Sequence, residues 1–195
     1  MNIEIQTTTR AGFLVRGALA VAGAWGAGAA GSFTSRALAQ TGDLGLLEFA
    51  VSLEYVETAF YRRARRIALS AEIGRLAARH AEHEQQHADA LLALLAKARG
   101  TAPRMPTLRF PEHDEAGFLA LAQTLEEAGV GAYNGLTPLL GSRELVAAFA
   151  SIGQVEARHA AAIRLARGER PAPESFDAGL TTADVRKALS PLVQS

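Results

Sequence analysis

The chain has 195 residues, with 20 Lys+Arg balanced by 20 Asp+Glu, 49% hydrophobic residues, 21% charged residues and no cysteine. The neutral balance excludes the basic excess of a nucleic-acid binder, and the missing cysteine excludes disulfide staples, Cys-ligated zinc and iron–sulfur clusters. The apolar content excludes wholesale disorder, and the length suits one domain with a tail.

Met1 to Ala39 reads as a secretory leader. A polar stretch carrying Arg10 and Arg16 precedes the uncharged, Ala- and Gly-rich run Gly17–Gly31, and Ala37-Leu38-Ala39 supplies a small-x-small cleavage pattern. The run is too short for a ~30 Å hydrocarbon core, so no stable membrane span is expected after cleavage. Thr9-Arg10-Ala11-Gly12-Phe13-Leu14 is like a twin-arginine signal whose second arginine is Ala11, which leaves the export route open. Either route predicts a periplasmic or otherwise exported protein. Three of the 20 basic and one of the 20 acidic residues fall in this leader, leaving 17 and 19 on the mature chain, a net charge of −2.

The remainder is rich in Ala, Leu, Glu and Arg and predicts helices without period-2 strands. The first runs over about Leu44–Ala68. The second is capped by Ser70 and runs to about Arg99, ahead of Gly100. Pro103, Pro106 and Pro111 make 101–113 a crossover. The third helix runs over about Asp114–Leu136, with Gly129, Gly131, Gly135 and the nearby Pro138 expected to weaken or kink it. The fourth is capped by Ser142 and runs to about Arg167, ahead of Gly168, and a short helix follows around Thr182–Leu189. The predicted fold is all-α, a four-helix bundle over 40–168 with one long crossover, then a C-terminal tail over 169–195 with its short helix.

Each helix has an apolar seam broken by acids at its middle. The seams are Leu47, Ala50, Glu54, Glu57, Tyr61, Ala64; then Ile73, Ala77, His80, Glu84, His87, Leu91, Leu95; then Leu119, Ala122, Glu126, Gly129, Tyr133, Leu136, Leu140; then Leu145, Phe149, Ile152, Glu156, His159, Ile163, Ala166. A carboxylate on a core-facing seam must be paired, protonated or bound to metal.

An internal repeat singles out the important ones. A shift of 72 carries Glu54 to Glu126, Glu84 to Glu156, His87 to His159, Leu53 to Leu125 and Tyr61 to Tyr133. Glu57 maps to Gly129, Glu127 back to Tyr55, His80 to Ile152 and His83 to Val155, which sets these four apart from a symmetric ligand set. What remains is one Glu on each of two helices and a Glu-x-x-His on each of the other two, the arrangement that binds two ions inside ferritin-like bundles. Four carboxylates balance two divalent ions, and a mixed carboxylate and imidazole set suits iron or manganese.

At these residues the chain resembles the ferritin-like superfamily, and more closely the exported bacterial ferritin-like domain family that includes desiccation-related proteins. The matching stretches are Leu53-Glu54-Tyr55-Val56-Glu57-Thr58-Ala59-Phe60-Tyr61, His83-Glu84-Gln85-Gln86-His87, the run from Leu125-Glu126 to Tyr133, and Val155-Glu156-Ala157-Arg158-His159-Ala160. The resemblance implies a dinuclear centre, two iron ions with manganese as the alternative, held by Glu54, Glu84, His87, Glu126, Glu156 and His159. In it Glu54 and Glu126 are terminal ligands, Glu84 and Glu156 are the bridging residues assigned to catalysis, and each His binds one ion. Glu57, which faces no partner carboxylate in the seam pattern, reads as an extra ligand, a neighbour of the ligands or an ion-pair partner, and Tyr61 and Tyr133 read as hydrogen-bond partners of the ligands or bound oxygen species, or as core packing.

The reaction class implied is Fe(II) oxidation, or detoxification of dioxygen or peroxide, in stress protection. Three alternatives stay open. One is a structural or metal-binding stress protein without turnover. Another is a homo-oligomer of unspecified size. The third is a zinc protease built on His83-Glu84-x-x-His87, disfavoured because His83 has no counterpart in the repeat. His113 in the crossover is expected to be exposed, and Arg62, Arg63, Arg65 and Arg66 to form a solvated helix end.

Overall fold

The computed structural model describes residues 31–111 and 114–193, with side chains from residue 42 onward. Most of the expected leader and His113 lie outside the described residues.

Helix α1 spans Gly31–Arg63 and is interrupted at Gly42, where φ is 57°. Only glycine adopts that backbone without strain, so the bundle helix proper starts beyond it. Asp43 accepts the N–H groups of Gly141 and Ser142, each at 2.8 Å, and so ties this start to the loop between the third and fourth helices. The helix closes in a 3₁₀ turn at Ala64–Arg66, a few residues short of the predicted end at Ala68.

Helix α2 spans Ala71–Lys97 behind the predicted Ser70 cap, whose hydroxyl accepts the Ile73 N–H. Its end departs from expectation. Arg99, not Gly100, takes the left-handed conformation (φ 58°), while the Gly100 N–H donates to the Leu95 carbonyl. Gly100 serves close approach instead, since a Cβ there would meet the Leu95 and Leu44 side chains.

Helix α3 spans Glu115–Leu136, capped by Asp114. It runs without the expected break at its glycines, because these accommodate neighbours. A Cβ on Gly135 would stand 2.0 Å from the Leu180 carbonyl oxygen of the tail, and the Leu180 N–H donates to the Gly131 carbonyl at 2.7 Å. Pro138 lies beyond the helix, in the 3₁₀ turn Thr137–Leu139.

Helix α4 spans Arg143–Ala166 behind the Ser142 cap and ends ahead of Gly168 (φ 75°). Helix α5 spans Thr182–Leu189, opened by a capping box between Thr181 and Asp184.

Short connections make two helical hairpins, α1 with α2 and α3 with α4, and the crossover joins them. α5 packs on α3, and the crossover meets the C-terminal segment where the Arg109 N–H donates to the Leu192 carbonyl. Among the described residues there is no strand, only an isolated bridge from Leu108 to Val193, and no helix is long and apolar enough to cross a membrane.

The seams form the core as predicted, apart from Ala166, which is exposed where α4 outlasts its neighbours. Phe60 stacks on Phe118 at 4.8 Å and meets Tyr61 edge-on at one level, while Tyr133 meets Phe149 edge-on at another. Between these hydrocarbon layers the seam positions are acids and imidazoles.

Candidate metal centre

Glu54, Glu57, Glu84, Glu126 and Glu156 are each 0% exposed, so five carboxyl groups share the bundle interior. They arrive from all four helices because each sits one or two turns from a large apolar seam residue that fixes its helix face. His80, His87 and His159 are buried among them.

Around His87 Nδ1 lie Glu84 Oε2 at 2.9 Å, Glu156 Oε1 at 3.1 Å and Glu54 Oε2 at 3.5 Å. Around His159 Nδ1 lie Glu84 Oε1 at 2.8 Å and Glu126 Oε2 at 3.5 Å. Glu84 therefore turns one oxygen to each histidine. Glu54, Glu84, His87 and Glu156 form one group with donor atoms within 4.8 Å of one another, and Glu84, Glu126, Glu156 and His159 form another. Glu84 and Glu156 belong to both. Donors sharing one ion at about 2.0–2.2 Å stand about 3 Å from each other, which is the spacing of the closest pairs here.

The hydrogen-bond accounting points the same way. Unpartnered buried atoms include Glu54 Oε2, both oxygens of Glu57 and of Glu156, Glu84 Oε1, Glu126 Oε2 and the Nδ1 atoms of His80 and His159. Glu84 Oε1 and His159 Nδ1 are close enough to attract as charges without the alignment of a hydrogen bond. Native proteins rarely leave so many buried polar atoms unsatisfied, at about 1–3 kcal/mol each. Divalent cations among them would satisfy these atoms, so the residues fit a metal site.

Two tyrosines cross the bundle. Tyr61 on α1 donates its hydroxyl to Glu126 Oε1 on α3, and Tyr133 on α3 donates to Glu54 Oε1 on α1. The repeat thus appears as reciprocal hydrogen bonds, each half orienting the other's carboxylate.

The metal-free cluster divides its protons unevenly. Burial pushes the Glu54 carboxyl up to about 7. Burial, followed by repulsion from Glu156, holds Glu57 well above the ordinary carboxylate range, and burial with repulsion from Glu84 does the same to Glu156. Burial acts against ionised Glu126 too, but His159 and His80 outweigh it and hold that group down at about 2. At Glu84, His159 and His87 overcome burial and leave the carboxyl below its usual range. Burial opposes a charge on His87, yet Glu156, Glu54 and Glu84 raise it to about 12, and Glu126 and Glu84 raise His159 to about 10 against the same opposition. Protons thus occupy the cluster where cations would otherwise balance the charge.

Four residues set apart by the repeat divide into two kinds. Glu127 is exposed and pairs with Arg164 at 3.0 Å. His83 is partly exposed, and its Nδ1 lies 2.9 Å from His159 Nε2, behind the cluster rather than in it. That position, together with Glu84 lying between two histidines, removes the geometry of a zinc protease. Glu57 and His80, by contrast, are buried in the cluster.

Contrary to the sequence expectation, Glu57 does have a neighbouring carboxylate. A Cβ on Gly129 would stand 3.0 Å from Glu57 Oε1 and 2.9 Å from Glu156 Oε2, so the glycine at its repeat position makes room for both. Seam membership was the signal that could have retained His80, which the repeat criterion set aside; for Glu57 the repeat argued only against a symmetric ligand. Of the arginine run, Arg62, Arg65 and Arg66 are exposed as expected, and Arg62 donates to Gln85 Oε1 at 2.7 Å.

Between α2 and α4 a cavity of about 460 Å³ opens towards the cluster. His80, His87 and His159 line its inner side, with His83, Arg79 and Arg158 also on its wall. A search of curated proteins finds no match to the chain. A family model described as a ferritin-like domain matches residues 42–169, which contain all four bundle helices from the Gly42 break onward and every residue of the cluster. The chain belongs to the ferritin-like domain family.

Proposed function

We propose that this is an exported ferritin-like protein, of the desiccation-related type, whose bundle holds two iron ions, with manganese as the alternative. Its proposed role is to oxidise Fe(II) or to remove dioxygen or peroxide under oxidative or drying stress. The observation that carries the reading is Glu84, whose two oxygens lie 2.9 and 2.8 Å from two different histidines inside a buried group of unpartnered donors.

Glu54, Glu84, Glu156 and His87 would hold one ion, and Glu84, Glu126, Glu156 and His159 the other. Bound iron would supply the electrons for reducing dioxygen or peroxide. The chain's own residues do the rest. Tyr61 and Tyr133 orient Glu126 and Glu54, the aromatic layers exclude water, and the cavity between α2 and α4 gives a small molecule a route to the histidines. Export rests on the leader sequence, and amino-terminal sequencing of secreted protein should begin at Gln40.

Oxygen consumption by the Fe(II)-loaded protein tests the activity. Turnover in the wild type that is lost in Glu84→Ala supports the enzyme. Metal bound without oxygen consumption, in wild type and variant alike, supports a binding module and overturns catalysis.

A further inference from the structure

The 72-residue repeat accounts for six of the eight acid and imidazole side chains of the cluster and fails at Glu57 and His80. His80 lies four residues before Glu84 on α2, and its counterpart on α4 is Ile152. Both are buried seam positions, so the second half presents hydrocarbon where the first presents an imidazole.

Several observations give that imidazole a direction. His80 is 2% exposed, and its Nδ1 has no hydrogen-bond partner. That nitrogen lies 3.4 Å from Glu126 Oε1. The ring stacks on His159 with centroids 4.0 Å apart and meets Tyr61 edge-on at 5.0 Å. Donor atoms of His80, Glu126 and His159 lie within 4.8 Å of one another, and Glu126 Oε2 and His159 Nδ1 are also unpartnered. A histidine kept only for packing would not need its unpartnered nitrogen 3.4 Å from a buried carboxylate, within a donor group that includes His159.

We propose that His80 is a further metal ligand, on the ion shared by Glu126 and His159. The proposal rests on the dinuclear reading above. It makes the two positions chemically unlike, with two imidazoles and three carboxylates at one, and one imidazole and the same number of carboxylates at the other. The additional imidazole, a donor that suits the later divalent metals, makes the His80 position the tighter one, so it fills first.

Co(II) is a suitable probe, titrated into the purified full-length protein and followed by visible absorption. The wild type should take up about two equivalents in two unequal steps, as expected for a dinuclear bundle site. His80→Ile, which installs the residue found at the repeat position, should weaken the first step by roughly 10–100-fold or more, change the absorption of that ion and leave the other step in place. His80→Gln provides the same comparison if the isoleucine variant fails to fold, with circular dichroism of the metal-free proteins as the check. Proton NMR of the Co(II)-loaded wild type counts coordinated imidazoles without any variant, through their shifted side-chain resonances, and should find three. Two coordinated imidazoles, with unchanged binding in His80→Ile, would overturn the proposal and leave the dinuclear reading intact. Absence of Co(II) binding by the wild type would remove both.

Discussion

Tyr133 shows how closely a single group is committed to the cluster. Its hydroxyl donates to Glu54 Oε1, and burial together with Glu54 and Glu156 holds the phenol well above its usual range, so it stays a donor. Tyr133→Phe preserves the ring against Phe149 and removes only that donor. It should lower metal affinity by roughly 10–100-fold in an anaerobic titration, the usual loss when a partner of a ligand is removed. Tyr61→Phe should behave likewise through Glu126. Affinity unchanged in both would reduce the tyrosines to packing residues.

His83 belongs to the same scale. Its contact with His159 Nε2 at 2.9 Å fixes which nitrogen of His159 faces the carboxylates, so the half of the protease-like motif that the repeat excluded acts from behind a ligand.

At the scale of elements, the glycines of α3 carry the lesson. Read by propensity they weaken a helix, and their spacing gives no hint of what approaches them. In the fold, Gly129 makes room for two carboxylates and Gly135 for the tail backbone. Gly135→Ala should therefore act at a distance from the metal. The added methyl cannot coexist with the Leu180 carbonyl at 2.0 Å, and the tail has little freedom to yield while the Leu180 N–H is bonded to Gly131. The variant should lose about 1–3 kcal/mol of stability by denaturant titration and expose residues 169–181 to proteolysis, with metal binding retained. Unchanged stability and proteolysis would show that the tail does not pack on α3.

The helices, the caps at Ser70 and Ser142, and the seam registers were legible in the sequence because heptad-like spacing and capping residues are local signals; Asp114, read as the first residue of the third helix, is its cap instead. The place of His80 among the donors and the carboxylate beside Glu57 were not legible, because the repeat records what the two halves share and these residues are where the halves differ. The tail's seat on α3 was equally hidden, since it depends on Leu180 meeting Gly131 and Gly135, 49 and 45 residues earlier in the sequence.

At the scale of the whole molecule, the cluster sets how stability depends on pH. Glu54 rises from an ordinary value of 4.5 to about 7, and burial also holds Glu57 and Glu156 well above their ordinary range, so the folded metal-free protein binds more protons than the unfolded chain above pH 4.5. His87 and His159, raised to about 12 and about 10, extend that excess to higher pH. Stability of the metal-free protein should then fall as pH rises from 5 to 8. Metal must displace these protons, so binding should tighten over the same interval and the stability gained on loading should grow. Melting temperatures with and without metal, taken across that range, check both signs. Parallel curves would contradict a proton–metal exchange at one site.

Five buried carboxyl groups and three histidines share the bundle interior, and we propose that they hold two metal ions. Elemental analysis after anaerobic Fe(II) loading and dialysis tests it most directly. About two iron ions per chain, reduced in Glu84→Ala because that residue reaches both histidines, is the predicted result. Folded wild-type protein that retains no iron, manganese or zinc would contradict it.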